Sequence, residues 1–261
     1  MTQGYLVMAQ GKEYATQAEH LARSIKKTQS CVSSLSVITD QEVDATLFDV
    51  VIKIENDLAA TSKWKVENRV NFYDSTPYDE TVILDADMLF LSDVSHWWKL
   101  FAKYDLLLTS KVMTYRQEII TNSFYRKTFR ANKLPDVYSA FTYFKKSETS
   151  DTFFKLVKSI VLNWKEWIQV YAPDHPQRFV SIDLAMAIAV DIMGIEDRVT
   201  TILSYPTFTH MKGRCQGWKT QTDEWDNVLG IYNTVDKIRF GPYEQSGILH
   251  YVKKDFYDSL L

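Results

Sequence analysis

A chain of 261 residues is long enough to bury one large core, and its 46% hydrophobic and 24% charged residues are those of an ordinary globular protein. The formal charge of −3 does not by itself point to a polyanionic partner, while two cysteines, Cys31 and Cys215, exclude a disulfide framework and any cysteine-rich metal site. No apolar run nears the roughly 20 residues of a membrane helix. The opening Met1-Thr2-Gln3-Gly4 has neither the basic start nor the apolar stretch of a signal peptide, so a cytoplasmic, reducing location is expected.

The first half alternates short apolar strands with amphipathic helices. Tyr5 to Ala9 is a continuous apolar run, the pattern of a strand buried on both faces. Tyr14, Ala18, Leu21, Ala22 and Ile25 then recur at helical spacing. Strands are expected at Val32 to Ile38 and Val50 to Ile54, a helix from Lys63 to Tyr73, and a strong strand at Thr81 to Leu84. A helix over Ser95 to Tyr104 and a strand at Leu106 to Leu108 complete this half. Beyond it the pattern predicts a strand over Val137 to Phe144, a helix within Thr149 to Val170, an apolar helix over Ser181 to Met193 and a last strand over Gly247 to Val252. Such alternation predicts an α/β fold with a mainly parallel central sheet flanked by helices. With no repeat or linker, a single domain is expected, residues 1–110 forming its regular half and 111–261 an irregular one.

Asp85 and Asp87 follow four apolar strand residues and stand two apart, so in an extended chain both point to one side. Ala86 between them is small enough for a ligand to approach both. Isolated Asp-x-Asp triplets are usually turns. Here Met88-Leu89-Phe90-Leu91 resumes the apolar run at once, and two unpaired charges inside a hydrophobic stretch are costly. A hard divalent cation, which takes oxygen ligands and is shared with substrate phosphates, would offset that cost. The carboxyl edge of a parallel sheet is also where open α/β folds bind ligands.

In this setting Val82-Ile83-Leu84-Asp85-Ala86-Asp87-Met88-Leu89-Phe90-Leu91 resembles the Asp-x-Asp segment of the GT-A glycosyltransferases. It is most similar to the family 8 type, which includes glycogenin and bacterial lipopolysaccharide galactosyltransferases. The resemblance implies a Rossmann-like GT-A fold with a nucleotide-binding half and an acceptor-side half. It places Ala9 to Tyr14 at the exit of the first strand, with Tyr14 stacking on the base, although a helix aromatic packing on the sheet would look the same. Asp40, after Ser36-Val37-Ile38-Thr39, falls near the nucleotide or is a turn residue. Arg69, with Lys65 as its competitor, stands where the family has a basic residue reaching the donor. Tyr138-Ser139-Ala140-Phe141 resembles the strand lining the sugar pocket, with Tyr138 and Ala140 replacing an asparagine and a glycine. Asp183 matches an acid beside the reacting sugar, yet both Ser181 and Asp183 are also suited to capping the helix. His250 matches the histidine that completes the metal site, and Lys253 or Lys254 the lysine on the diphosphate.

The implied activity is transfer of a sugar from a nucleotide sugar, UDP first among the carriers, to an acceptor hydroxyl, with retention. The donor set Asp85, Asp87 and His250 favours Mn²⁺ over Mg²⁺, because imidazole is the poorer ligand for magnesium. Between Ser110 and Pro135 the chain carries Lys111, Arg116, Arg126, Lys127, Arg130 and Lys133 against the single acid Glu118, interleaved with Tyr115, Phe124, Tyr125 and Phe129. Lys212, Arg214 and Lys219 surround Trp218. These patches suit an anionic acceptor, a lipopolysaccharide-type or phosphorylated glycan, unless they are simply solvated helix faces. Hydroxymethylated DNA is the alternative, as for phage enzymes that work in the host cytoplasm. A metal-dependent nucleotidyltransferase or phosphohydrolase is a further alternative, with Gln10-Gly11-Lys12 as a faint echo of a phosphate loop.

Overall fold

The computed structural model describes residues 1–32, 34–62, 64–120, 126–173, 179–201, 203, 205–211 and 237–251, and the backbone of 231–234. Its strands are β1 (Gln3–Ala9), β2 (Leu35–Thr39), β3 (Val50–Lys53), β4 (Glu80–Leu84), β5 (Met88–Phe90), β6 (Leu106–Thr109), β7 (Tyr138–Lys145), β8 (Thr209–His210), β9 (Ile231–Thr234), β10 (Lys237–Phe240), β11 (Tyr243–Glu244) and β12 (Ile248–His250). The helices that matter here are α1 (Lys12–Thr28), α2 (Phe72–Ser75), α3 (Trp98–Phe101), α4 (Lys127–Ala131), α5 (Glu148–Leu162), α6 (Trp164–Tyr171) and α7 (Ile182–Met193).

Six strands form the central sheet in the order β3-β2-β1-β4-β7-β6. The first four are parallel, and β7 runs against both β4 and β6. Strand β1 shows why the sheet is buried on both faces. Leu6 and Met8 join the core formed with α5, α6 and α7, while Tyr5, Val7 and Ala9 join the core under α1 and α3. The same period of two divides β4, with Ile83 on one side and Val82 and Leu84 on the other. The mainly parallel α/β sheet expected from the alternation is the sheet observed. The direction of β7 was not encoded in that pattern, because alternation marks a strand and not its sense.

Helix α1 buries Ala18, Leu21, Ala22 and Ile25 and ends on Lys26 and Lys27, whose charges suit the negative end of the helix. The chain enters it through Gly11 at φ 89°, a conformation that side chains avoid. Helix α7 is apolar on nearly every face and lies against α5 and β7. Among the described residues, no helix is long and apolar enough to cross a membrane.

Two helical expectations change. The stretch from 64 to 73 is not one helix but a 3-10 turn, Glu67–Asn71, leading into α2, and Lys65 before it stands at φ 54°. The cause is tertiary: the fully buried Asn68 accepts from the Leu58 amide and donates to Gln10 and Asp57, contacts that bind this segment to neighbouring loops. The segment 95–104 shortens to a 3-10 turn and α3. The helix expected within Thr149 to Val170 is present as α5, and a second, α6, follows it directly after Asn163.

A second sheet, β5-β12-β8, is fed directly by the first. The chain leaves the central sheet at Leu84, turns through residues 85 to 87 and enters β5 at Met88. The hairpins β9-β10-β11 pack beside it around Ile238 and Phe240. Close approach also limits one residue of the central sheet. A Cβ on Gly4 would stand 2.4 Å from the Tyr78 ring, which is buried and held by a hydroxyl hydrogen bond to Ser36 at 2.8 Å. Gly4→Ala should therefore lower stability by about 1–3 kcal/mol in denaturant titration, and an unchanged midpoint would contradict this packing.

Candidate active site

The Asp85-Ala86-Asp87 triplet is a turn rather than extended strand, with Ala86 buried beneath it. Its two acids converge through tertiary pairing instead of strand periodicity. Strand β12 runs antiparallel to β5 with His250 opposite Met88, and the Tyr251 amide donates to the Asp87 carbonyl at 3.0 Å. His250 shares a face with Ile248, which packs in the α1-side core with Met88 and Phe90. Its ring is therefore turned toward the triplet. His250 Nε2 lies 3.1 Å from Asp87 Oδ1 and 3.6 Å from Asp85 Oδ2. One ligand atom from each of the three residues falls within 4.8 Å of the others. Two carboxylate oxygens and an imidazole nitrogen, gathered on a half-buried floor, fit a first-row divalent cation.

Arg69 stands on the 3-10 turn beside this group, and its guanidinium contacts Asp85 Oδ1 at 2.6 Å. Burial works against its charge, but the fields of Asp85, Asp87 and Asp183 prevail and hold its pKa above the ordinary value. Lys65, the other expected cation, instead donates to the carbonyls of Ala59 and Ala60, each at 2.7 Å. Arg69 is the one of the two joined to the acidic group.

Asp183 is not the cap of α7. Ser181 takes that role, accepting from the Leu184 amide, which leaves Asp183 in the first turn to reach β7. There it accepts from the Ser139 amide at 2.8 Å and the Ser139 hydroxyl at 2.6 Å, so two residues expected near the sugar are joined directly. Its second oxygen accepts from Arg126 at 2.7 Å.

Arg126, expected on a basic acceptor surface, is buried at 4% exposure. It also donates to Asp136 and to the Val137 carbonyl, and its guanidinium lies between the rings of Phe129 and Tyr138, 3.7 and 3.9 Å from their centroids. Burial opposes its charge, while Asp183 and Asp136 outweigh it and keep the pKa above normal. Its side chain is therefore held inside the protein, as the support of Asp183. A basic residue in a charge-rich stretch carries no sequence mark of being buried. Lys127 and Arg130 on α4 do face solvent. Lys212, Arg214, Lys253 and Lys254 lie outside the described residues.

On the nucleotide side, Ala9 ends β1 and its carbonyl accepts from Thr39 Oγ1 at 2.6 Å. Asp40 accepts from the Gly11 amide at 2.7 Å, pinning the β1–α1 turn to the end of β2. Tyr14 is half-buried on α1 and packs on the adjacent core. Sequence reasoning missed the hydrogen-bond network at the same edge, where the buried Gln10 and Asn68 donate to the exposed Asp57 at 2.8 and 2.7 Å and Asn68 donates to Gln10 at 2.8 Å. Those hydrogen bonds, led by that from Gln10, hold the Asp57 carboxyl below its usual range. It also missed His210, whose Nδ1 lies 3.1 Å from His250 Nδ1.

Comparison of structures places this architecture among known ones. The apo crystal structure of mouse xyloside xylosyltransferase 1 superposes with a TM-score of 0.54 at 12% identity, covering 96% of this chain and 98% of its own. The glycosyltransferase GlyE of Streptococcus pneumoniae TIGR4 gives a TM-score of 0.46 at 14% identity over 77% of this chain and 46% of its own. No protein-family model and no curated protein matches the sequence. The fold is that of the GT-A glycosyltransferases.

The Arg126 cluster gives a stability prediction independent of any ligand. Arg126→Met should cost about 2–3 kcal/mol, below the usual loss for a broken buried pair because Asp136 and Asp183 retain 44% and 31% exposure. Chemical denaturation checks it, and a change within experimental error would show that the guanidinium supports nothing.

Proposed function

We propose that this protein is a metal-dependent glycosyltransferase. It moves a sugar from a nucleotide sugar, UDP the first candidate, to a hydroxyl of an anionic acceptor with retention at the anomeric carbon. The observation that carries the reading is the convergence of Asp85, Asp87 and His250 at the carboxyl edge of β4 in a GT-A fold. These three residues would hold Mn²⁺, or Mg²⁺ with less help from the imidazole. A bound cation would supply Lewis-acid charge to the diphosphate leaving group.

The chain's own residues would divide the remaining work. Breaking the bond to the sugar moves negative charge onto the diphosphate and leaves the sugar oxocarbenium-like. Arg69, already oriented by Asp85, would add a fixed positive charge on the leaving-group side, with Lys253 or Lys254 as a second. Asp183, oriented by Ser139 and Arg126, would face the sugar and stabilise its developing positive charge. Ala9, Tyr14 and Asp40 would form the wall for the nucleoside, Tyr14 through its ring.

A glycan-type acceptor is favoured over DNA by the fate of the basic, aromatic stretch. Arg126, Tyr115 and Phe129 are buried and cannot form a stacking and phosphate-binding face. Lys127 and Arg130, with Lys212 and Arg214, would remain for anionic groups on a glycan. A nucleotidyltransferase is disfavoured because the Gly11 amide, which a phosphate loop would present to its ligand, donates to Asp40.

Incubation with UDP-, GDP- and ADP-sugars and Mn²⁺, read by mass spectrometry, tests the reading. One donor should be hydrolysed slowly without acceptor, and Asp87→Ala should reduce that turnover by about 100-fold or more, as loss of charge stabilisation at a leaving group does. Turnover that survives the substitution would refute the role given to Asp87.

A further inference from the structure

The two histidines of the second sheet are paired by its geometry. Strand β8 lies parallel to β12 with His210 in register with His250, so the two side chains stand beside one another on one face. The register is fixed on both sides of His210: its amide donates to the Met113 carbonyl at 2.8 Å, and the next amide, Met211, donates to the His250 carbonyl at 3.0 Å. Both rings are buried, at 6% and 2% exposure, with centroids 5.0 Å apart. Phe208 packs edge-on against each, and Tyr138 against His210. Their Nδ1 atoms are 3.1 Å apart, hydrogen-bonding distance.

Imidazole chemistry gives that contact a consequence. When Nε2 of His250 turns its lone pair to a cation, the ring's proton must be on Nδ1, which is buried and needs an acceptor. His210 Nδ1 is placed to accept it. When instead Nε2 carries the proton and donates to Asp87 Oδ1 at 3.1 Å, Nδ1 of His250 becomes the acceptor and His210 the donor. One contact thus satisfies the buried nitrogen in either arrangement by reversing its direction. A leucine or phenylalanine at position 210 would satisfy it in neither.

We propose that His210 is a positioning residue for the cation site: it holds the His250 ring with Nε2 turned to Asp85 and Asp87 and accepts a hydrogen bond from the Nδ1–H of His250 when Nε2 acts as a ligand. This rests on the cation site proposed above but not on the identity of the donor or acceptor. It adds to a three-residue site a fourth residue, on a different strand, that would touch neither metal nor substrate. Outer hydrogen-bond partners of this kind change metal affinity by about 10–100-fold.

The test uses Mn²⁺ alone with the full chain, reading the electron paramagnetic resonance signal of free Mn²⁺, so that no catalytic step is involved. His210→Phe keeps an aromatic ring between Phe208 and Tyr138 but removes the acceptor, and should weaken Mn²⁺ binding about 10–100-fold. His210→Asn, whose amide oxygen can accept from Nδ1, should recover most of that loss. Equal affinity in wild type and His210→Phe would overturn the proposal while leaving the cation site standing. Asparagine binding as weakly as phenylalanine would overturn it too, since the hydrogen bond would then not be what matters. If the wild type binds no Mn²⁺, the cation site fails and this role with it.

Discussion

The site depends on the register between β5 and β12. Their ladder is three residues long, with Met88 opposite His250, Leu89 opposite Leu249 and Phe90 opposite Ile248. A slip of one residue would send every side chain of β12 to the opposite face and turn His250 away from the acids. The register is held by what lies on each face. Met88, Phe90 and Ile248 pack toward the central sheet, while Leu89, Leu249 and Tyr251 pack with Met211 and Phe240 in a smaller core. Backbone hydrogen bonds from Leu91 to Gly247 and from Tyr251 to Asp87 close the ladder at both ends. Residues 163 positions apart in sequence are thereby fixed at hydrogen-bonding distance.

Electrostatics complement this geometry. Asp85, Asp87 and Asp183 all act on Arg69, so the three acids share one field with that cation among them. Arg126 answers Asp183 and Asp136 from within the core, under the cover of two aromatic rings. The two arginines therefore do different jobs. Arg69 lies beside the triplet and contacts Asp85, and Arg126 orients an acid from behind. Burying a guanidinium is tolerable only with such pairing, and that pairing makes the position of Asp183 over-determined.

Much of this was legible in the sequence. The apolar runs at Tyr5 to Ala9 and Thr81 to Leu84 became β1 and β4, because a strand buried on both faces must be apolar throughout. The two acids placed inside an apolar stretch and the histidine in the last strand do come together, one ligand atom of each within 4.8 Å of the others. What was hidden depended on contacts distant in sequence. Periodicity could not give the reversed direction of β7, nor reveal that Asn68 would bind a would-be helix to Gln10 and Asp57. Arg126 looked like one more surface cation, since its two carboxylates and two rings come from α4, α7 and the segment around β7. His210 was one histidine in a two-residue strand, and the parallel pairing of that strand with β12 is what sets it beside His250.

Asp85, Asp87 and His250 are proposed to form one cation site within a nucleotide-sugar pocket. Anomalous diffraction at the manganese edge, from crystals grown with Mn²⁺ and UDP, tests it most directly. A single strong peak is expected among the three side chains, with the diphosphate of UDP beside it and near Arg69. UDP bound with no peak at these residues, or a peak elsewhere while all three face solvent, would contradict it.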